Sequence, residues 1–92
     1  MNIQNYINTV AKCSRPAEGV TRLPFTNDHV AANKLLKKWM TDAGLKISLD
    51  AAGTLIGKYT SPIKNSKTLL IGSHQDSGYN SGRYDGIMGI IL

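Results

Sequence analysis

Cysteine is nearly absent: Cys13 stands alone among 92 residues. That excludes an internal disulfide framework and any cysteine-rich zinc cluster, and it fits a reducing compartment. No apolar run approaches the roughly 20 residues that a membrane-spanning helix needs. The opening Met1-Asn2-Ile3-Gln4-Asn5-Tyr6 lacks a basic stretch followed by an apolar one, so no secretory signal is read. A soluble, cytoplasmic protein with no membrane partner is expected. Acidic residues are scarce, six against eleven Lys and Arg, for a net charge of +5. This excess does not make a nucleic-acid binder, because the basic residues are dispersed. Their densest cluster, Lys34, Lys37 and Lys38, falls on one solvated helix face with no aromatic–basic interleaving. Repeats, low-complexity stretches and linkers are missing too. An apolar fraction of 41% with 18% charged residues is ordinary for a globular domain, though a chain of this length buries only a modest core.

The periodicities predict an α/β arrangement. Ile3, Tyr6, Ile7, Val10 and Ala11 form one stripe of an amphipathic helix, ended by Ser14-Arg15-Pro16. Glu18 to Asn27 reads as a loop. A second helix begins at Asn27 or Asp28 as cap and carries Ala32, Leu35, Leu36, Trp39, Met40 and Ala43 on its apolar face. Gly44 stands where a C′ glycine ends a helix. Leu45, Ile47 and Leu49 alternate with polar residues as in a half-buried strand, and Ala51-Ala52-Gly53 turns the chain into an antiparallel partner, Thr54 to Tyr59. Leu69-Leu70-Ile71 is continuously apolar, the pattern of a strand covered on both faces inside an α/β sheet. From Gly86, Ile87-Met88-Gly89-Ile90-Ile91-Leu92 starts a buried apolar helix with no polar face and no stop signal, so the C-terminus reads as a truncation.

Chemistry concentrates where Leu69 to Ile71 ends. In α/β sheets functional groups gather beyond the carboxyl ends of strands, and His74 follows directly. In extended backbone, residues i and i+2 point to the same side, so His74 and Asp76 can face each other. A metal-bound imidazole normally gives its other ring N–H to a carboxylate or carbonyl, and His-x-Asp supplies both parts. Asp85 returns after a loop containing Gly78 and Gly82; its two oxygens could bridge two cations. Gly86 behind it permits unusual backbone geometry. Each signal alone is weak: a lone histidine at a strand end is more often a satisfied polar residue, and Asp-Gly usually marks a turn. Ser73, His74 and Asp76 are no catalytic triad, since successive strand side chains point to opposite faces and a triad is a spatial constellation. His29, near a helix start, reads as a capping or solvated residue with no metal role.

Together these residues resemble a family. Gly72-Ser73-His74-x-Asp76 followed by Gly82-Arg83-Tyr84-Asp85-Gly86-x-x-Gly89 is similar to the metal-binding stretch of the dinuclear metallo-amidohydrolases related to zinc exopeptidases and aminoacylases. Within them it looks most like the allantoate amidohydrolases and N-carbamoyl-L-amino-acid hydrolases. Gly19-Val20-Thr21-Arg22-Leu23 and Trp39-Met40-x-x-Ala43-Gly44-Leu45, running into Asp50-Ala51-Ala52-Gly53-Thr54-Leu55-Ile56-Gly57, resemble the same branch. The form Ser81-Gly82-Arg83-Tyr84-Asp85-Gly86 leans toward allantoate over simple carbamoyl amino acids. Ser77-Gly78 stands where relatives often have Thr-Val.

The resemblance implies that residues 1–92 are the N-terminal portion of a three-layer α/β/α, metallopeptidase-like catalytic domain with a mixed sheet, the lid and dimerisation domain being absent. It implies two divalent ions, zinc or manganese, with His74 a ligand of one, Asp85 the bridging carboxylate and Asp76 the orienter of His74. It also implies that Asp85–Gly86 is strained or cis. The family's general-base Glu, its neighbouring acidic ligand and two further His belong to later sequence. The expected function is hydrolysis of linear ureido or carbamoyl C–N bonds by an intact homodimer, with this chain inactive alone. The rivals are a non-catalytic remnant or interaction module, and a dipeptidase or aminoacylase-type deacylase of the same superfamily.

Overall fold

The computed structural model describes residues 2–92. Its elements are α1 (Ile3–Ala11), α2 (Asn27–Asp42), β1 (Lys46–Leu49), β2 (Leu55–Lys58) and α3 (Ile87–Ile91). They fall into two compact units: residues 1–32 with 72–92, and residues 33–71. Helix α2 passes from the first to the second after Ala32.

In the first unit α1 begins where the Asn2 side chain accepts from the Asn5 N–H at 3.2 Å, and its apolar stripe buries Ile7 and Val10 completely. Helix α3 packs against α1 and contributes Ile87, equally buried. Met88, Ile90 and Ile91 are half-covered and Leu92 is exposed, so the expected apolar helix forms but buries a single residue fully.

The segment read as a loop is a clamp. Val20 and Ser81 exchange both backbone N–H···O bonds at 2.8 Å. The Ser77 N–H donates to the Arg22 carbonyl at 2.8 Å, and the Asn80 N–H to Thr21 Oγ1 at 2.8 Å. Gly19 is required here: a Cβ would lie 2.6 Å from the Ser81 carbonyl oxygen. Residues 19–22 and 77–81 thus pair as irregular antiparallel backbone, satisfying polar groups that burial would otherwise penalise.

Helix α2 is capped by neither Asn27 nor Asp28 but by the residue before them. Thr26 takes the cap: its Oγ1 accepts from the His29 N–H at 3.3 Å and donates to the Leu23 carbonyl at 2.7 Å. Threonine was open to this role by its chemistry, but Asn and Asp rank above it and drew the assignment.

The second unit carries the end of α2 and the hairpin. Gly44, at φ +92°, ends the helix in a Schellman motif: its N–H reaches the Thr41 carbonyl and that of Leu45 the Met40 carbonyl, both at 3.0 Å. β1 and β2 pair antiparallel with Lys46 opposite Lys58 and Leu49 opposite Leu55. Asp50 makes the turn, its Oδ1 accepting from the N–H groups of Ala52 at 2.9 Å and Thr54 at 2.8 Å.

Leu69-Leu70-Ile71 departs from expectation. It forms no strand and its side chains are 83%, 90% and 78% exposed. An apolar strand buried on both faces needs neighbours along both edges and layers above and below. Among the described residues the two strands present are committed to each other, so this stretch remains extended and uncovered. The α/β class stands, with its sheet represented by one antiparallel hairpin. No helix among the described residues is long and apolar enough to cross a membrane.

Candidate metal centre

Residues 72–76 follow the exposed apolar stretch without regular secondary structure, and their side chains divide between surface and interior. His74 and Asp76 project outward, their side chains 52% and 42% exposed. Gln75 between them turns inward, where Arg22 holds it. Asp85 approaches from the turn preceding α3. That turn is tied to α1 through Arg83 Nη1 donating to Asn8 Oδ1 at 2.8 Å and Tyr84 Oη donating to Gln4 Oε1 at 3.0 Å.

The structure brings all three predicted residues together. His74 Nδ1 lies 3.2 Å from Asp76 Oδ1 and 3.1 Å from the Asp76 carbonyl oxygen. His74 Nε2 lies 3.8 Å from Asp85 Oδ1. A carboxylate and a carbonyl can only accept, so the ring proton belongs on Nδ1, directed at Asp76. With a proton there, Nε2 would face the Asp85 carboxylate oxygen. At that separation a cation could be shared between the two groups.

Two glycines make this approach possible. At Gly86, φ is +72° and a Cβ would strike the His74 carbonyl oxygen and come within 2.6 Å of ring atoms Cε1 and Nδ1. At Gly89 a Cβ would lie 2.7 Å from Ser73 Oγ; that hydroxyl donates to the Gly86 carbonyl at 2.7 Å. The start of α3 is therefore pressed onto residues 73–74. The Asp85–Gly86 peptide is trans, as is every peptide bond among the described residues; the unusual geometry expected there lies in the positive φ of Gly86.

Whether these groups suit a divalent ion can be judged from their chemistry. Imidazole nitrogen and carboxylate oxygen bind zinc at about 2.0–2.2 Å, so two donors on one ion lie within about 4.3 Å of each other. The observed 3.8 Å satisfies that limit. As a complete site the set falls short: among the described residues no group of three or more His, Cys, Asp or Glu is disposed to hold a metal ion. The fit is that of part of a centre.

Sequence reasoning noted Arg22 only within a resembling stretch and gave it no role. It is 2% exposed. Its Nη1 donates to the carbonyls of Val10 at 3.0 Å and Cys13 at 2.9 Å, a cation at the C-terminal end of α1 where the helix dipole favours one. Its Nε donates to both the carbonyl and the Oε1 of Gln75, at 2.8 and 2.9 Å. Burial pushes the guanidinium below its usual pKa, an effect opposed by Cys13, Asp28 and Asp76. Ser77, at the departure from the relatives' pattern, is buried and its hydroxyl accepts from the Arg22 N–H at 2.8 Å. His29 Nδ1 accepts from the Phe25 N–H at 2.8 Å, the capping duty expected of it. An open cleft lined by Lys12, Arg15, Glu18, Gly19, Ser81 and Arg83 contains none of His74, Asp76 and Asp85.

No family-level sequence profile matches the chain. It is 43% identical over 77 residues to the N-carbamoyl-L-amino acid amidohydrolase of Geobacillus stearothermophilus, a match covering 84% of this chain and 19% of that protein. It is 36% identical over 90 residues to the ureidoglycolate hydrolase of Arabidopsis thaliana, covering 97% and 19%. With the allantoate amidohydrolase of Bacillus subtilis it shares 32% over 91 residues, covering 98% and 22%. In three dimensions it superposes on a hydantoinase/carbamoylase family amidase from Burkholderia ambifaria with a TM-score of 0.88 at 31% identity, over 97% of this chain and 22% of that one. The chain thus resembles, over nearly all its residues, a segment of the amidohydrolases that act in the allantoate and N-carbamoyl amino acid group. It spans about a fifth of the length of the curated relatives it matches.

Proposed function

We propose that this chain supplies part of the metal centre of an amidohydrolase that cleaves linear ureido or carbamoyl C–N bonds, with allantoate or an N-carbamoyl-L-amino acid as substrate. One observation carries the reading: His74 Nε2 and Asp85 Oδ1 converge to 3.8 Å in a chain that matches enzymes of that chemistry. His74 would bind a zinc or manganese ion through Nε2, and Asp85 would use its two oxygens to bridge that ion and a second one. Both metals accept imidazole with carboxylate. When bound, such ions supply Lewis-acid polarisation of a carbonyl and acidification of water, from a pKa of about 16 toward neutrality.

What the chain's own residues do is hold donors. Asp76 would accept a hydrogen bond from Nδ1–H, fixing the tautomer that leaves Nε2 free and raising the basicity of the ring. Gly86 admits the imidazole against the α3 turn. A general base that would carry the proton to the leaving nitrogen is not among these three residues. The chain by itself is therefore expected to bind metal weakly and to turn over no substrate, and dimerisation of the intact protein belongs to the same reading. A second reading, a module without catalysis, draws on the exposure of Leu69, Leu70 and Ile71, which a partner surface would cover.

The test is a graft. The chain replaces the corresponding segment of the Geobacillus enzyme, and ammonia release from allantoate and from N-carbamoyl-L-amino acids is measured. Activity in the graft that disappears with His74→Ala and with Asp85→Ala is expected. Activity indifferent to both substitutions would overturn the assignment. Metal-dependent turnover by the ungrafted chain would overturn its inactivity.

A further inference from the structure

Between the two outward-facing site residues sits one that faces the opposite way, and the buried guanidinium of Arg22 is fastened to it. Gln75 is held at both ends of its amide: Oε1 accepts from Arg22 Nε at 2.9 Å, while Nε2 donates to the His29 carbonyl in the first turn of α2 at 3.3 Å. Its backbone carbonyl accepts from the same Arg22 Nε at 2.8 Å. Two residues on, Ser77 is pinned from both sides, its N–H donating to the Arg22 carbonyl at 2.8 Å and its hydroxyl accepting from the Arg22 N–H at 2.8 Å. Arg22 in turn is anchored on the C-terminal carbonyls of α1.

We infer that Arg22 is a positioning residue for the cation site: by fixing Gln75 and Ser77 from the interior it sets the backbone of residues 74–76, and so aims the His74 imidazole at Asp85. The inference rests on the metal reading proposed above. Its physical basis is the hold on Gln75, whose side chain and carbonyl are both fixed inward while the side chains before and after it stand part-exposed at the surface. If Gln75 is locked inward with its carbonyl held, His74 and Asp76 must both project outward on the same side. The side chains of His74 and Asp76 are largely open to water and packing alone does not hold them. A guanidinium with several donors in a rigid plane suits this task in a way an ammonium does not. A positive charge whose named hydrogen-bond partners are all oxygens of carbonyls and one amide is costly to bury, so its location here is specified by the segments it joins.

The test compares Arg22→Met, Arg22→Lys and Gln75→Ala with the unaltered 92-residue chain. Two readouts are used: the long-range 1H–15N imidazole spectrum of the metal-free protein, and cobalt(II) affinity from visible absorption. The unaltered chain should show His74 as a single Nδ1–H tautomer. Arg22→Met should average that signal and weaken cobalt binding at least about tenfold, the scale of lost outer-sphere partners. Arg22→Lys should fall between, and Gln75→Ala should act in the same direction. For the two Arg22 variants the His29 ring, bonded through Nδ1 to Phe25, serves as internal control, since general loosening would disturb both rings and loss of aim only His74; for Gln75→Ala, which also frees the His29 carbonyl, the control is the Tyr84 hydroxyl on Gln4. If Arg22→Met does not fold, Gln75→Ala, which keeps the guanidinium and its α1 contacts, decides the matter by the same signals. Unchanged His74 resonances and cobalt affinity within about twofold in a folded variant would overturn the inference. Failure of the unaltered chain to bind cobalt at all would count against the metal reading instead, and the metal-free imidazole spectrum would still decide the positioning role.

Discussion

Gly86 and His74 share a space that admits no side chain: a Cβ on Gly86 would fall 2.6 Å from both Cε1 and Nδ1 of the imidazole and collide with the His74 carbonyl oxygen. The contact places Asp85, one residue earlier, beside the ring. Gly86→Ala should therefore lose twice over. The positive φ of +72° disfavours any Cβ, and the collision must be relieved by moving backbone. A loss of about 2–4 kcal/mol is expected, measured by urea unfolding, with His74 and Asp85 separated in what remains folded. Unchanged stability would mean that α3 does not press on residues 73–74 in solution.

The grouping of His74, Asp76 and Asp85 was legible because its signal is local and chemical. His-x-Asp in extended backbone puts two side chains on one side whatever the rest of the chain does, and Asp-Gly announces a turn. The Schellman end of α2 at Gly44 was legible for the same reason. The buried Arg22 was not: an arginine in a loop-like stretch usually reads as solvated surface, and its partners, at Val10, Cys13 and Gln75, lie as far as 53 residues away in sequence. Leu69 to Ile71 misled in the opposite sense. The apolar run announces a need for cover, yet whether cover exists depends on neighbouring strands, which composition does not place.

The donors should differ in weight. His74→Ala and Asp85→Ala each remove a group that would touch the ion, and should abolish the cobalt absorption band at concentrations that saturate the unaltered chain. Asp76→Asn keeps the shape but weakens the acceptor on Nδ1, and should cost about 10–100-fold in affinity. Binding should weaken as pH falls, because the cation competes with a proton for Nε2. Equal effects from all three substitutions would contradict the assignment of Asp76 to the far side of the ring.

The end of α2 offers a test in the second unit. Gly44 sits at φ +92° with open space around it, so alanine would meet no neighbour and pay only for its backbone. Gly44→Ala should lower stability by about 1 kcal/mol, visible as a lower midpoint in thermal unfolding. Gly57→Ala meets real atoms instead, Leu45 Cδ1 at 3.0 Å and Met40 Sδ at 3.2 Å. Both are flexible side chains, and the cost should be of similar size, from crowding. A Gly44→Ala variant as stable as the parent would show that the helix ends by another route.

Cys13 gives a pH-dependent reading of the Arg22 region. Burial raises the thiol above its ordinary pKa, with Arg22 pulling it back down and Asp28 adding to the rise. The thiolate is the species that alkylating reagents attack. Iodoacetamide should therefore modify the folded chain with a pH midpoint above that of the urea-unfolded chain. Linkage fixes the accompanying sign. Between the two midpoints the unfolded chain has lost its proton while the folded chain keeps it, so unfolding releases a proton and stability falls as pH rises. Below both midpoints the thiol contributes no slope. Arg22→Met removes the positive charge that opposes the effect of burial, and provided the variant stays folded it should move the folded midpoint further upward. A midpoint that instead moves down in Arg22→Met would show that Cys13 has become solvated, and that the guanidinium had been holding the end of α1 closed over it.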